Sequence, residues 1–447
     1  MQPSLQRPAA PRRGGRDTFL DVVRAGAILA VISQHWIMPV LSYSAGHLAT
    51  GNALATPGWW IVTWLSQVMP LVFFAGGAAN LMSLRAAPSA RDWLAGRVRR
   101  LLMPVLPLMA VWLVVPDLLR QFGVPEQPLQ VAGAIAAQLL WFLAVYLITV
   151  LATPLLAAAH RRWGLAVPAV LAVLAVGVDI ARFNDLGLVG FANAVFVWLA
   201  VHQLGFHYAE GRLGTLDRRS ALGLSIAGFT VTALLVAFGP YPASMIGMPG
   251  APVSNMSPPT VLLVSLAVGQ IGLLLFLRPA LNALAARPAM ATALRWIGPR
   301  FMSVYLWHMP ALVVVAGISV LGLGYATPEP GTVLWLAMVP VWVAAAALVL
   351  TALLRVFGRF ETRRPGGAVT APAAQLAVAA VLGSAGLLGL AAHGFTAPLG
   401  GGLLSGPLPW VALVVTAFAL AGRRLPVREA ATYVLGRAVA RVEAVKR

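Results

Sequence analysis

Cysteine is absent from the 447 residues. That excludes a disulfide framework and thiolate chemistry, whichever compartment the loops face. Charge is scarce as well: Asp, Glu, Lys and Arg make up 10% of the chain against 60% hydrophobic residues. This balance is too apolar for a soluble protein and matches an all-α, polytopic helical membrane protein. The sequence has no Gly-x-x-x-x-Gly-Lys loop, no His-x-x-x-His pair and no Gly-x-Ser-x-Gly elbow. P-loop phosphate binding, a helical zinc pair and a serine-hydrolase nucleophile of those designs are therefore excluded. What remains for chemistry is histidine, carboxylate and arginine, with no metal site expected.

Acid is scarcer than base, with 13 Asp and Glu against 32 Lys and Arg for a net charge of +19. The arginines fall in alternate loops rather than on one basic surface with interleaved aromatics, so they indicate topology and no nucleic-acid partner. Twelve apolar segments run over about 19–41, 59–84, 101–119, 133–156, 165–181, 188–208, 221–239, 260–277, 301–323, 332–354, 370–392 and 405–422. Most approach the roughly 20 residues that a bilayer core requires. With the N-terminus inside, 29 of the 32 basic residues fall on the inner side, Arg24 lies within a span, and Arg120 and Arg182 lie outside. That asymmetry places both termini in the cytoplasm of a multi-pass protein of the cell membrane, in contact with its lipids. Residues 1–15 carry Arg7, Arg12 and Arg13 ahead of a full-length span without a small-residue cleavage site, and read as a cytoplasmic tail. Residues 16–356 form a core of about ten helices, 370–422 two further spans free of intramembrane charge, and 423–447 a basic tail. The stretch from Pro240 to Pro259 carries no charge and is expected outside, as a re-entrant or lid segment. No internal inverted repeat is evident.

Asp21, Arg24 and His35 share one face of the first segment. The eleven-residue step from Arg24 to His35 returns to within about 20° of the same direction, and Asp21 lies about 60° aside. Ionisable groups at membrane depth are costly unless paired or lining a polar cavity, so this row marks a candidate site. Thr18-x-x-Asp21 fits a capping box, which would explain Asp21 as a helix start beside a local pair with Arg24. His35, ~15 Å or deeper into the bilayer, resists that explanation. Arg97 and Arg100 share a helical face before the third segment, where they could grip phosphates or serve as ordinary inner-side flanking charge. Phe73-Phe74-Ala75-Gly76-Gly77 reads as close helix packing. Trp141 and Tyr146 are interfacial or core aromatics by default. In Tyr305-Leu306-Trp307-His308-Met309-Pro310, His308 either lines a cavity with Tyr305 or bonds a carbonyl freed by the proline. Asp179 and His202 suggest no role.

Five of these patterns occur together, in order, over about residues 16–356: Asp21-x-x-Arg24-x10-His35, Phe73-Phe74-x-Gly76-Gly77, Arg97-x-x-Arg100, Trp141-Phe142-Leu143 and Tyr305-Leu306-x-His308-x-Pro310. In them the chain resembles membrane-bound acyltransferase family 3, which includes O-acetyltransferases of bacterial surface polysaccharides and acylases of macrolide sugars. The last two spans exceed that family's usual ten-helix core, and no appended hydrolase-like domain is present. The resemblance implies transfer of an acyl group, commonly acetyl, from cytoplasmic acyl-CoA to a hydroxyl of a glycan, glycolipid or sugar-bearing metabolite. His35 would be general base or acyl relay, Arg97, Arg100 and Arg24 would meet the phosphates of coenzyme A, and Asp21 would orient Arg24. Low dielectric and Arg24 would both favour the neutral imidazole this needs. A transporter or exporter of a lipid-linked sugar or anionic small molecule is the rival reading, because intramembrane Arg and His can bind an anionic headgroup without covalent chemistry. A non-catalytic envelope scaffold is a third.

Overall fold

The computed structural model describes residues 17–362, 371–397 and 405–422, so the two expected tails lie outside the described residues. Within them the chain is an all-α bundle with one small hairpin. It begins with α1 (Thr18–Ile37), β1 (Pro39–Ser44) and β2 (His47–Asn52). Then follow α2 (Met69–Ala86), α3 (Ala90–Leu102), α4 (Val105–Gln121), α5 (Glu126–Gln138), α6 (Leu140–Trp163), α7 (Ala166–Phe183) and α8 (Asn193–Ala209). The second half holds α9 (Arg218–Phe238), α10 (Leu262–Phe276), α11 (Arg278–Ala286), α12 (Pro288–Ile297), α13 (Phe301–Ala316) and α14 (Val333–Phe357). It closes with the single turn α15 (Arg359–Thr362), α16 (Ala373–His393) and α17 (Leu408–Leu420). Each of the twelve apolar segments maps onto helix. Among the described residues ten helical runs are long and apolar enough to cross a bilayer, α10 and α11 add an eleventh as a pair bent by 59°, and α17 is a shorter apolar helix of 13 residues.

The first segment departs from the expected helix over 19–41. The helix stops at Ile37, and Pro39, which has no N–H to continue it, opens the antiparallel hairpin Pro39↔Asn52 to Ser44↔His47. Ala45 and Gly46 turn the hairpin with φ of 48° and 82°, the left-handed pair that a two-residue turn with the strands' twist requires. Leu41 and Leu48 bury against Val320, and Gln127 clamps the backbone of Leu48 from both sides at 2.9 and 3.1 Å. At the other end the cap is Asp17, whose carboxylate accepts from Leu20 N at 3.2 Å, not Thr18 of the expected capping box. Tyr208 also donates to Asp17, at 3.0 Å, so one side chain both starts α1 and ties it to α8.

Small residues set the helix spacing. A Cβ on Gly77 would lie 2.0 Å from the carbonyl oxygen of His202, and one on Gly205 2.1 Å from that of Phe74, so α2 and α8 pack backbone to backbone. The Phe73–Gly77 motif therefore acts as packing, as the sequence suggests. Gly228, Gly269 and Gly272 do the same for α9 and α10. The C-terminal pair is built into the bundle: α16 packs on α3, α5 and α6, with Ser384 Oγ donating to Ala144 O at 3.0 Å.

The uncharged stretch 240–259 is pinned to the bundle. Its Met245 and Asn255 are fully buried, Thr63 Oγ1 accepts from Met245 N at 2.8 Å, and Trp64 Nε1 donates to Ala243 O at 2.9 Å. Asp179, without a role from sequence, accepts from Asn193, Tyr241 and Val261 N at 2.8 to 3.0 Å and anchors the end of this loop. Burial and the bond to Asp179 both raise the Tyr241 hydroxyl above its ordinary range.

Candidate active site

His35 lies in the last turn of α1 and His308 in the middle of α13, and their rings lie end to end and nearly coplanar, with centroids 5.2 Å apart and planes 9° apart. His35 Nδ1 is 2.9 Å from His308 Nε2. His308 is completely buried, and His35 is half-buried. His308 Nδ1 is 2.5 Å from Tyr305 O, one turn back in its own helix. The proline at 310 frees the carbonyl of Leu306, four residues before it, so His308 is not merely satisfying that orphan. Two further bonds fix the assembly: Trp36 Nε1 donates to His308 O at 2.9 Å, and Tyr305 Oη donates to Leu139 O at 2.9 Å.

A row of aromatics leads from this pair through the bundle. Tyr305 stands 5.8 Å from His308 and 5.2 Å from Phe142, and Phe142 lies 5.6 Å from Tyr146. Tyr146 sits over Gly76, where a Cβ would come within 2.8 Å of its ring. Trp141 is a partly buried wall residue, 6.3 Å from Trp198, which in turn stacks on Phe73 at 4.6 Å.

Arg97 lies within electrostatic range of Tyr146, Arg100 and Arg24. Its guanidinium donates to Ser83 Oγ at 2.5 Å and to Ala79 O at 3.4 Å and lies 5.5 Å from the Trp93 ring, so it is held in one orientation. Arg100 is exposed. Arg24 lies 4.9 Å over the Phe301 ring and lines a small pocket with Asp21, Gly298 and Phe301. Three cations thus gather at one end of the bundle, where basic residues dominate.

Arg24 and His35 occupy one face, as the periodicity requires, but the eleven-residue step between them amounts to about 16 Å along the axis. At that separation Arg24 does not contact His35, and Asp21, a turn further away, does not orient it. The neighbour of His35 is His308. Because Arg24 is level with Phe301 at the start of α13, the same rise sets His35 beside the middle of that helix. The early stop of α1 leaves the hairpin, not helix, above it.

Sequence reasoning missed Glu361. Its carboxylate accepts from Met302 N at 2.9 Å and Ser303 N at 2.7 Å, filling the N-terminus of α13, and it lies in the field of Arg24. Burial raises its carboxyl above the ordinary range against the opposing pull of those two N–H groups. The signal was present as a lone acid in the basic stretch Arg355–Arg364. His202 is a buried partner of Asn80 at 3.2 Å, and His160 bridges Gln203 and Glu210 at 3.1 and 3.0 Å. Both belong to the packing of α2, α6 and α8. Among the described residues, no three His, Asp or Glu side chains gather as metal ligands.

The candidate site is thus a histidine pair with an aromatic row on one side and, toward the basic end of the bundle, the oriented guanidinium of Arg97. In the comparison with protein families, a family described as an acyltransferase domain matches residues 17–357, ending before Glu361 and the C-terminal pair. No curated protein and no solved structure matches the chain. With more than three quarters of its length inside that match, the chain belongs to membrane acyltransferase family 3 and is a multi-pass membrane acyltransferase.

Proposed function

We propose that the protein moves an acyl group, acetyl in the first instance, from cytoplasmic acyl-CoA to a hydroxyl of a glycan, glycolipid or sugar-bearing metabolite in the cell envelope. The observation that carries this reading is the join between Arg97 and His35: a guanidinium fixed by Ser83 and Trp93 at one end, a histidine pair at the other, and Tyr146, Phe142 and Tyr305 between them. Coenzyme A has a pyrophosphate and a 3′-phosphate that call for fixed cations, and Arg97, Arg100 and Arg24 supply them. Its pantetheine arm is long enough to follow the aromatic row while the nucleotide stays outside. The thioester then reaches His35, which acts as base on the acceptor hydroxyl or carries the acyl group itself.

The test uses detergent-purified full-length protein and acetyl-CoA with a thiol-reactive dye, with and without an envelope glycan extract. Thiol release that requires the extract and is abolished in His35→Ala, while that variant purifies in normal yield, is the expected result. Undiminished release from His35→Ala sinks the assignment. Absence of any release, with labelled sugar phosphate moving across proteoliposomes instead, favours the exporter reading.

A further inference from the structure

We infer that His308 is a positioning residue that holds His35 in its Nδ1–H tautomer, making Nε2 of His35 the atom that receives the proton or the acyl group. This rests on the acyltransferase reading of His35. A backbone carbonyl only accepts, so the 2.5 Å contact from His308 Nδ1 to Tyr305 O puts the proton on His308 Nδ1. A neutral imidazole holds one N–H, which leaves His308 Nε2 as an acceptor. His35 Nδ1, 2.9 Å away, must then be the donor, and the lone pair of His35 is on Nε2.

The two alternatives fail physically. Moving the proton of His308 to Nε2 would set the bare Nδ1 against the carbonyl lone pairs of Tyr305 at 2.5 Å. Protonating both nitrogens would place an imidazolium in a fully buried site. Among the described residues neither ring bonds a carboxylate that could offset such a charge. The carbonyl is itself constrained, because the Tyr305 hydroxyl is bound to Leu139 O and Trp36 holds the peptide of His308. A histidine and a carbonyl thus fill the orienting role that a carboxylate fills in other base-assisted sites, without bringing negative charge to membrane depth.

The step balances. As the acceptor oxygen attacks the acyl carbon, its O–H proton passes to His35 Nε2 and a C–O bond forms. The C–S bond breaks with its electron pair on sulfur, and the proton on Nε2 goes to that sulfur. While His35 is an imidazolium, its Nδ1–H bond to His308 is charge-assisted and stronger than in the resting state, which lowers the barrier. If Nε2 instead attacks the acyl carbon, the same tautomer supplies the lone pair: the C–S bond breaks with its electron pair on sulfur, the acceptor oxygen then displaces Nε2 from the acyl carbon, and the O–H proton of the acceptor goes to the thiolate.

The experiment uses full-length protein in nanodiscs, labelled with nitrogen-15 histidine, with His35→Ala identifying the His35 signals. The wild type is expected to show a protonated Nδ1 and a bare Nε2 at His35. His308→Phe, with similar volume and no acceptor, is expected to lower kcat by about 10²- to 10³-fold with an unchanged donor KM. His308→Gln, whose amide oxygen can accept near the position of Nε2, is expected to recover most of that loss. A wild-type His35 protonated on Nε2, or a His308→Phe protein turning over normally, overturns the inference. If His308→Phe does not fold, the wild-type tautomer decides alone. That spectrum is also read without turnover, so failure of the acyltransferase assignment is separately visible.

Discussion

Trp36 donates its indole N–H to the backbone oxygen of His308 at 2.9 Å, one residue along α1 from the histidine that contacts the His308 ring. Helices α1 and α13 are thereby joined twice within a turn, once through a ring and once through a peptide. Trp36→Phe keeps an aromatic ring in place but removes the donor and part of the buried indole. The expected cost is about 1 kcal/mol for the hydrogen bond plus roughly 1–2 kcal/mol for the lost packing. Because the lost bond restrains His308, kcat should fall while the acyl-CoA KM stays unchanged, as measured by initial rates alongside a thermal unfolding curve.

Gly77→Ala forces a methyl group to within 2.0 Å of the His202 carbonyl, a backbone atom that cannot turn aside. Separation of α2 from α8 should destabilise the protein by about 1–3 kcal/mol or more and move Phe73 and Phe74, which lie on the same helix. Gly26→Ala is the control, since nothing lies within 4 Å of the added atom. It should be neutral or slightly stabilising, by roughly 0.5–1 kcal/mol. Detergent-solubilised melting temperatures of the two variants check this contrast.

Removing the Arg97 guanidinium should raise the KM for acyl-CoA by about 10- to 100-fold, the range for loss of one charge-assisted bond to phosphate. Ser83→Ala should act in the same direction and less strongly, because Ser83 orients Arg97 without meeting the donor. A donor lacking the 3′-phosphate, assayed with Arg97→Ala, Arg100→Ala and Arg24→Ala, reveals which arginine reads that group: the one whose substitution no longer matters.

Glu361 gives a pH dependence with a definite sign. Its carboxyl is raised in the folded protein, chiefly by burial, so the folded state holds its proton to higher pH than the unfolded chain does. Its contribution to stability is therefore fully present below the ordinary carboxylate range and is lost as pH rises through the elevated value. Glu361→Gln lacks that titration. The gap in melting temperature, wild type minus Glu361→Gln, should shrink as pH rises through the mildly acidic range, and a constant gap would show that burial is not what governs this carboxyl.

The bundle was legible in the sequence because its signal is local: each apolar run maps to helix, and alternating basic loops mark the two ends. Where a run ends is less legible. Pro39 and the alternation of Leu41 with Ser42 were hidden inside a stretch whose mean apolarity suggested helix to residue 41, and Asp17 rather than Thr18 proved to be the cap. Periodicity placed Asp21, Arg24 and His35 on one face but says nothing about partners. The residue that matters to His35 lies 273 positions away on α13, brought in by packing that no spacing rule encodes. Glu361 was overlooked for the same reason, since its partners Met302 and Ser303 are joined to it only in the fold.

The central claim is that His35 passes an acyl group from coenzyme A to a sugar hydroxyl. Its most direct test is proteoliposomes of the full-length protein given acetyl-CoA radiolabelled in the acetyl group, with an envelope glycan extract and readout by mass spectrometry of the labelled product. The expected result is an acetyl ester on sugar that depends on His35 and is lost in His35→Ala. Label transferred equally by wild type and His35→Ala, or label that never leaves coenzyme A with the wild type, would contradict it.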